Sequence, residues 1–316
     1  MKILITGPSW VGDMVMSQSL YRHLKLRYPG CQIDVLAPAW CLAVTERMPE
    51  INQSIVLPFK HGELGLAKRY RFAKQLRAEQ YDWAIILPNS FKSALISWWA
   101  RISKRTGWRG EMRYMALNDV RQLEDTKALP LMVQRFVGLG YQCSDEWSPH
   151  HILPPSLVAK AGDIPDIVDQ YQLNIRPQQP VLALCPGAAF GTAKRWPQAY
   201  FAEVANQKLK DGWQVWLLGS PDEEPVLNDI QQQTNHRCQL LAGQVSLAHK
   251  IDLLSLASVV ISNDSGLLHV AAALQKPVIA IYGSTTPHFT PPLTTHAKIL
   301  QIDGLACRPC FKRDCP

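Results

Sequence analysis

The sequence predicts two doubly wound α/β domains in tandem, on three observations. Short apolar runs alternate with longer amphipathic segments, which is the pattern of βαβ units and a parallel sheet. Several of the apolar runs end in glycine, as strands do before a tight turn into a helix. The alternation weakens between residues 143 and 180, where proline recurs, and then restarts. We therefore place an N-terminal domain at residues 1–165 and a C-terminal domain at residues 166–316.

The elements of each domain follow from periodicity. In the first half, strands are predicted at 3–6, 33–37, 54–57 and 83–87, and helices at 14–28 and 91–102. In the second half, strands are predicted at 181–185, 215–218, 259–262 and 278–282, and helices at 200–210, 247–257 and 266–274. Ligands of such sheets bind at the carboxyl ends of the strands, so two facing domains would create a binding cleft between them.

Composition and charge restrict the class of protein. The chain is 47% hydrophobic and 19% charged, which excludes global disorder. No apolar run reaches the roughly 18 residues of a membrane-spanning helix, and no signal peptide is recognisable. Eight thinly spread cysteines indicate a reduced, cytoplasmic protein. Residues 1–150 hold 20 Lys and Arg against 13 Asp and Glu, so the net charge of +7 lies there. The first half therefore meets a negative partner, or it has a basic surface for solubility.

A glycine-rich turn, GPSWVGD at residues 7–13, connects the first strand to the first helix. Such a turn exposes backbone N–H groups that suit an anion. Its spacing is not G-x-G-x-x-G, and it is not a P-loop, because Asp13 occupies the place of the phosphate-binding lysine. Asp13 suits a general base, or it is an acidic residue that stabilises the first turn of a helix.

The loop CPGAAFGTAKRWP at 185–197 also follows a strand and precedes a helix. Its small residues let a ligand approach the backbone, and Lys194 or Arg195 can neutralise a phosphate. The segment SNDSGLLH at 262–269 opens another helix. There Asp264 or Ser265 is a cap, and Gly266 leaves the helix N-terminus accessible to an anion. His269 lies one turn further and is either a ligand contact or a buried histidine.

Two further segments are more ambiguous. In GSPDEE at 219–224, Glu223 or Glu224 accepts hydrogen bonds from ribose hydroxyls, or both belong to a charged first helical turn. Cys307, Cys310 and Cys315 form C-x2-C-x4-C, one thiol short of the four ligands that structural zinc needs, with no histidine nearby. The chain also lacks a D-x-D pair that would hold a divalent ion on a diphosphate. We therefore expect no metal site.

Together these segments resemble the ADP-heptose:lipopolysaccharide heptosyltransferases. The resemblance is carried by PSWVGDMVMSQSL at 8–20, LPNSFKSAL at 87–95, TGWRGEMRY at 106–114, CPGAAFGTAKRWP at 185–197, SNDSGLLHVAAAL at 262–274 and YGSTTPHFTPPL at 282–293. It implies a GT-B fold, in which two Rossmann-like domains face a central cleft. The acceptor would bind the N-terminal domain and ADP-heptose the C-terminal domain.

The resemblance further implies an inverting, metal-independent transfer of L-glycero-D-manno-heptose to the first heptose of the lipopolysaccharide inner core. The acceptor would be built on Kdo2-lipid A, and the enzyme would work in the cytoplasm, peripherally on the inner face of the inner membrane. ADP-heptose is a substrate, so no cofactor is implied. Family members usually continue with a further cysteine-containing stretch and a C-terminal helix, so the chain is expected to be truncated or to lack that helix.

The roles of residues also follow from the resemblance. Asp13 matches the catalytic base, and Lys194 matches the cation at the donor diphosphate. The donor-side loop is matched by Asp264, Ser265, Gly266 and His269. One of Glu223 and Glu224 matches the ribose ligand. The cations expected to contact the anionic acceptor are Lys60, Lys92, Arg109 and Arg113.

Three alternatives stay open. The first is heptosyltransferase I or III, with the same machinery and a different inner-core acceptor. The second is a nucleotide-binding oxidoreductase, which the missing G-x-G-x-x-G and its downstream acid disfavour. The third is a non-catalytic basic protein that binds nucleic acid or a membrane surface. That reading leaves the glycine loops of the second half unexplained, and we expect no nucleic-acid partner.

Overall fold

The computed structural model describes residues 1–59, 62–123, 127–142, 145, 147–176, 178–243 and 245–315. The chain divides into two compact units, Met1–Pro155 and Ser156–Pro316. Each unit contains one six-stranded sheet in which every strand pairs with its neighbours in parallel. The predicted tandem of doubly wound α/β domains is therefore confirmed.

The division between the units lies ahead of the predicted boundary at 165. That position falls inside a helix of the second unit, Ile164–Gln170. The segment before this helix already packs on the second unit, because the Leu157 N–H donates to the Ala273 carbonyl at 3.1 Å. The Lys160 N–H also donates to the Asp252 carboxylate at 2.9 Å. Prolines and weak periodicity span the whole stretch, so they could not locate the break.

The first unit has its strands in the order β3-β2-β1-β4-β5-β6, the Rossmann order. Its strands are β1 (Lys2–Thr6), β2 (Gln32–Pro38), β3 (Gln53–Leu57), β4 (Trp83–Ile86), β5 (Lys104–Trp108) and β6 (Asp119–Arg121). Its helices are α1 (Val11–Arg27), α2 (Leu42–Thr45), α3 (Leu66–Leu76), α4 (Phe91–Trp99) and α5 (Met132–Gly138). The strand order reverses between β1 and β4, and both of these central strands are buried apolar runs.

The second unit repeats this order as β12-β11-β10-β7-β8-β9, with the reversal between β7 and β10. Its strands are β7 (Val181–Cys185), β8 (Gln214–Leu217), β9 (Gln239–Leu240), β10 (Val259–Asn263), β11 (Val278–Ile281) and β12 (Ala297–Leu300). Its helices are α6 (Ile164–Gln170), α7 (Gln198–Lys210), α8 (Glu224–Gln233), α9 (Leu247–Leu254) and α10 (Gly266–Ala273). Across the described ranges, none of the helices combines the length and apolar character that a bilayer crossing requires.

Candidate functional site

A cavity of about 790 Å³ lies in the first unit, at the carboxyl ends of its central strands. Thr6 and Gly7 line it from the end of β1, and Pro88 and Asn89 line it from the loop after β4. This is the point at which the strand order reverses, where Rossmann-like sheets bind their ligands. The first unit therefore has its own ligand-sized cavity.

Asp13 lines this cavity from the first turn of α1. The helix begins at Val11, ahead of its predicted start, and the positive end of the helix dipole favours an ionised carboxylate at this position. Burial raises the pKa of the neighbouring Cys41 thiol to about 12, and the negative charge of Asp13 adds to that rise. A half-buried carboxylate therefore faces the cavity.

Aromatic side chains form much of the remaining wall. Trp10 and Trp40 both line the cavity with about half of their surface exposed. The Trp40 indole N–H donates to the Ser9 carbonyl at 2.8 Å, which fixes the orientation of its ring. Arg69 also lines the cavity, but its guanidinium donates to backbone carbonyls of the preceding loop and stacks on the Phe59 ring at 4.1 Å.

The four cations predicted to contact the acceptor have different environments. Lys92 lines the cavity and is half-buried. Arg109 is exposed on the loop after β5, where its Nε donates to the Tyr114 hydroxyl at 2.7 Å. Lys60 lies outside the described residues. Arg113 is the exception, because only 1% of its surface is exposed.

Arg113 is a structural anchor, and this environment disfavours its predicted contact with the acceptor. Its Nη2 donates to the Asn89 side-chain oxygen at 3.0 Å and to the Trp108 carbonyl at 2.6 Å. Its Nη1 donates to the Pro88 carbonyl and to the Ser93 hydroxyl. Burial lowers the pKa of the guanidinium to about 10. The sequence shows the charge of an arginine but not whether its donors are already used inside the fold.

In the second unit, the loops after β7, β8, β10 and β11 meet at one edge of the sheet. Asn263 joins the end of β10 to the loop after β7: its amide nitrogen donates to the Pro186 carbonyl at 2.6 Å, and its oxygen accepts from the Trp196 N–H at 3.0 Å. Gly283 packs so closely that an added Cβ would lie 2.3 Å from the Ala193 carbonyl oxygen. The predicted donor segments are therefore brought together by the sheet topology.

A charged cluster surrounds Asp264, which is only 4% exposed. Lys194 Nζ donates to its carboxylate at 2.6 Å, and the Thr285 hydroxyl donates to the same oxygen at 2.6 Å. His269 Nε2 lies 3.8 Å from the other carboxylate oxygen. Burial raises the pKa of Asp264, but His269 and Lys194 lower it by more, so it lies well below its usual range. The carboxylate therefore stays ionised and holds Lys194 in place.

The N-terminus of α10 begins beside this cluster. Ser265 occupies the N-cap position, yet its side chain accepts no hydrogen bond from the first turn and lies 3.2 Å from the Ser262 hydroxyl. Ser265 therefore occupies the N-cap position without the side-chain hydrogen bond by which a serine normally caps a helix. The first-turn amides, starting at Gly266, stay available to an anion next to the Lys194 ammonium.

The two glutamates after β8 differ. Glu223 is buried, and its carboxylate accepts from the Ser220 N–H at 2.7 Å. It packs against the β7 loop, since a Cβ added at Gly187 would lie 2.0 Å from its carboxyl carbon. Glu224 is exposed and faces Gly243 instead. The structure therefore places Glu223 against the loop after β7 and Glu224 against the turn after β9.

Other contacts at this edge were not predicted. No sequence motif marks Thr285 or Asn263 as site residues. The role of a polar residue of this kind becomes evident only when its neighbours in the folded chain are known. The C-terminal segment also reaches the β7 loop, where the Ala193 N–H donates to the Arg313 carbonyl at 2.9 Å. The described cysteines are free thiols, and within the described ranges no group of three or more His, Cys, Asp or Glu could hold a metal ion.

Comparison with known proteins identifies the family. Residues 69–316 match glycosyltransferase family 9 (heptosyltransferase). Lipopolysaccharide heptosyltransferase 2 of Salmonella typhimurium is 47% identical over 310 residues, which cover 96% of this chain and 88% of that protein. Lipooligosaccharide heptosyltransferase 2 of Haemophilus influenzae is 44% identical over 310 residues, covering 96% of this chain and 89% of that protein.

The fold is also that of solved members. The structure of ADP-heptose lipopolysaccharide heptosyltransferase II from Escherichia coli aligns with a TM-score of 0.88 and 42% identity, covering 98% of this chain and 96% of that one. An Escherichia coli heptosyltransferase solved with ADP has the same fold at 19% identity, with a TM-score of 0.72 and coverage of 95% and 92%. The predicted GT-B fold class is confirmed, and the chain belongs to glycosyltransferase family 9, the heptosyltransferases.

Proposed function

We propose that this protein transfers L-glycero-D-manno-heptose from ADP-heptose to the first heptose of the lipopolysaccharide inner core, with inversion at the anomeric carbon. The identity to heptosyltransferase 2 proteins from several organisms supports this choice of acceptor. The observation that carries the proposal is the Lys194–Asp264–Thr285 cluster beside the uncapped N-terminus of α10. Such an arrangement suits a diphosphate leaving group.

The donor would bind the second unit. As the glycosidic C–O bond breaks, negative charge develops on the departing ADP, and Lys194 and the α10 amides would stabilise it. Asp264 orients the Lys194 ammonium, and Glu223 would accept hydrogen bonds from the ribose. This set of donors suits transfer without a divalent ion, and we expect activity to persist in EDTA.

The acceptor would bind the cavity of the first unit. A sugar hydroxyl is a poor nucleophile at neutral pH, so its proton must leave as the oxygen attacks the anomeric carbon. Asp13 would take that proton, because it is a carboxylate that lines the cavity. Lys92 and the exposed Arg109 would contact the anionic part of the acceptor. We also propose that the enzyme works peripherally on the cytoplasmic face of the inner membrane, where such an acceptor is anchored.

The test is incubation of the purified protein with ADP-heptose and a set of defined lipopolysaccharide acceptors, with products read by mass. Acceptors without heptose, with one heptose and with two heptoses separate the actions of heptosyltransferases I, II and III. We expect one added heptose only on the acceptor that already carries one. Transfer to a different acceptor would replace the proposed substrate, and no transfer to any of them, with the donor intact, would contradict the function.

A further inference from the structure

The loop between β5 and β6 carries three strongly exposed apolar side chains. We call residues 109–115 the methionine loop. Met112 is 86% exposed and Met115 is 78% exposed, the two highest values among the large apolar side chains described. Tyr114, between them, is 52% exposed. Isolated exposed apolar residues are common, but three within four positions mark an interaction surface.

The methionine loop is held in this conformation. Arg113 lies inside the fold, and its carbonyl accepts from the Ala116 and Leu117 N–H groups, each at 3.1 Å. Ala116 and Leu117 are buried behind it. Met112 has a φ of +39°, in the left-handed region that costs a non-glycine residue energy. The anchor therefore fixes Met112 and Met115 outward, and their exposure does not come from a loose loop.

The methionine loop also adjoins the acceptor cavity. Glu111, which precedes Met112, lines the cavity and accepts from the Phe91 N–H at 2.8 Å. Phe91 and Leu64 are themselves exposed and line the same cavity. Lys92 lines it too, and Arg109 begins the loop. The methionine loop therefore meets the cavity wall through Glu111, next to the exposed Phe91.

This combination fits an anionic lipid surface. Methionine inserts into the boundary between headgroups and acyl chains, tyrosine lies at headgroup depth, and cations bind the anionic headgroups. The loop is too small to form a stable protein interface on its own, since such interfaces bury roughly 800 Å² per partner. The basic excess of residues 1–150 is complementary to an anionic bilayer.

We propose that the methionine loop docks the protein on an anionic membrane, with Met112 and Met115 inserted among the headgroups. The cavity then opens at the bilayer surface, where a lipid-anchored sugar acceptor is presented. The acceptor and its membrane location rest on the proposed function, whereas the assignment of docking to the methionine loop rests on the exposure of Met112 and Met115.

The first experiment measures binding of the full chain to vesicles. Vesicles of phosphatidylcholine mixed with phosphatidylglycerol are compared with vesicles of phosphatidylcholine alone by co-sedimentation. The double variant Met112→Ser/Met115→Ser should weaken binding to the anionic vesicles by at least about tenfold, because each buried methionine side chain contributes that much or more. The matched control is Leu26→Ser/Ile302→Ser, which removes two other exposed apolar side chains and should bind as the unmodified protein does.

The second experiment separates docking from catalysis. With a deacylated, water-soluble acceptor, the Met112→Ser/Met115→Ser variant should turn over like the unmodified protein, and with the acylated acceptor in vesicles it should lose activity. If neither protein transfers heptose but vesicle binding still depends on the methionines, the proposed function fails and docking stands. Equal vesicle binding by variant and unmodified protein would overturn the proposal. The proposal would also be overturned if the control variant lost vesicle binding equally. It would be overturned too if the methionines mediated dimerisation and the protein did not bind vesicles.

Discussion

Removal of the Lys194 ammonium tests the donor site most directly. Lys194 Nζ lies 2.6 Å from the Asp264 carboxylate and 3.3 Å from its carbonyl oxygen, so the cation has one fixed position. A preorganised donor of this kind contributes about 2.7–4 kcal/mol to a transition state. Lys194→Ala should therefore lower kcat by a factor of about a hundred to a thousand.

The same substitution also has a cost in stability. It leaves Asp264 ionised and buried, although the Thr285 hydroxyl still donates to it. Breaking a buried ion pair costs about 3–5 kcal/mol, and the remaining partners should reduce that to roughly 2–3 kcal/mol. Urea unfolding measures this loss in the free energy of unfolding. The kcat values are then compared under conditions in which the variant is folded.

The matched control is Lys208→Ala. Lys208 also makes an ion pair, with Asp211 at 2.8 Å, but both side chains are more than a third exposed. Such surface pairs contribute at most about 1 kcal/mol, so this variant should keep its kcat and nearly all of its stability. Single-turnover rates and ADP titration calorimetry complete the assay. A folded Lys194→Ala enzyme with kcat within a few-fold of the unmodified protein would refute the assignment of Lys194 to the leaving group.

Three further predictions concern the base, the β7 loop and acid stability. Asp13→Asn should lower turnover by about a hundredfold or more while ADP affinity, measured by calorimetry, stays unchanged, because the amide cannot accept the acceptor proton. Gly191→Ala should weaken ADP binding, because its Cβ would lie 2.2 Å from the Arg313 carbonyl oxygen and must displace the C-terminal segment. Burial lowers the pKa of His23 from 6.5 to about 4, and nearby positive groups add to this. In that window the unfolded chain takes up a proton that the folded chain does not, so stability should fall as pH falls from 6.5 to 4, by on the order of 2 kcal/mol after solvent screening.

Each of these has a control variant or an outcome that would contradict it. Near-native turnover of Asp13→Asn with a rate-limiting chemical step would contradict its role as base. Gly162→Ala, where an added Cβ meets nothing within 4 Å, should leave ADP affinity unchanged. The Leu153 N–H donates to His23 Nε2 at 3.2 Å, which requires a neutral ring. A His23→Gln variant should therefore show a flatter dependence of urea unfolding on pH, and an equally steep one would exclude His23 as the cause.

The sequence could predict the central strands because they are buried on both faces and read as continuous apolar runs. Val181–Cys185 has the same bounds in the prediction and in the structure. The outer strands Asp119–Arg121 and Gln239–Leu240 were missed because they are short and only partly buried, so they lack an apolar signal. Helix Leu66–Leu76 was missed because it carries several cations, one of which is buried at Arg69.

For the candidate site, the sequence predicted loops better than contacts. Glycine and a polar residue after a strand indicate where a ligand approaches, and sheet topology then brings these loops together. What each side chain contacts is a property of the folded chain. Arg113 and Lys92 look alike as cations in the sequence, yet one is consumed by hydrogen bonds inside the fold and the other lines the cavity.

The carboxylate of Asp264 raises a question of charge, because it stands where a diphosphate is proposed to bind. If the site worked through net charge, Asp264→Asn would attract the diphosphate more strongly and raise kcat/KM. If it works through a fixed Lys194, the amide would hold the ammonium less firmly, and kcat should fall about tenfold or more although the site becomes more positive. Burial raises the pKa of Asp264, but His269 and Lys194 lower it by more, so the carboxylate is ionised at neutral pH in either account. Its contribution to stability is complete above the ordinary Asp pKa and is lost only as pH falls through the lower folded value. Steady-state kinetics of Asp264→Asn across neutral pH decide between the two, and an increase in kcat/KM would show that net charge, not position, governs the site.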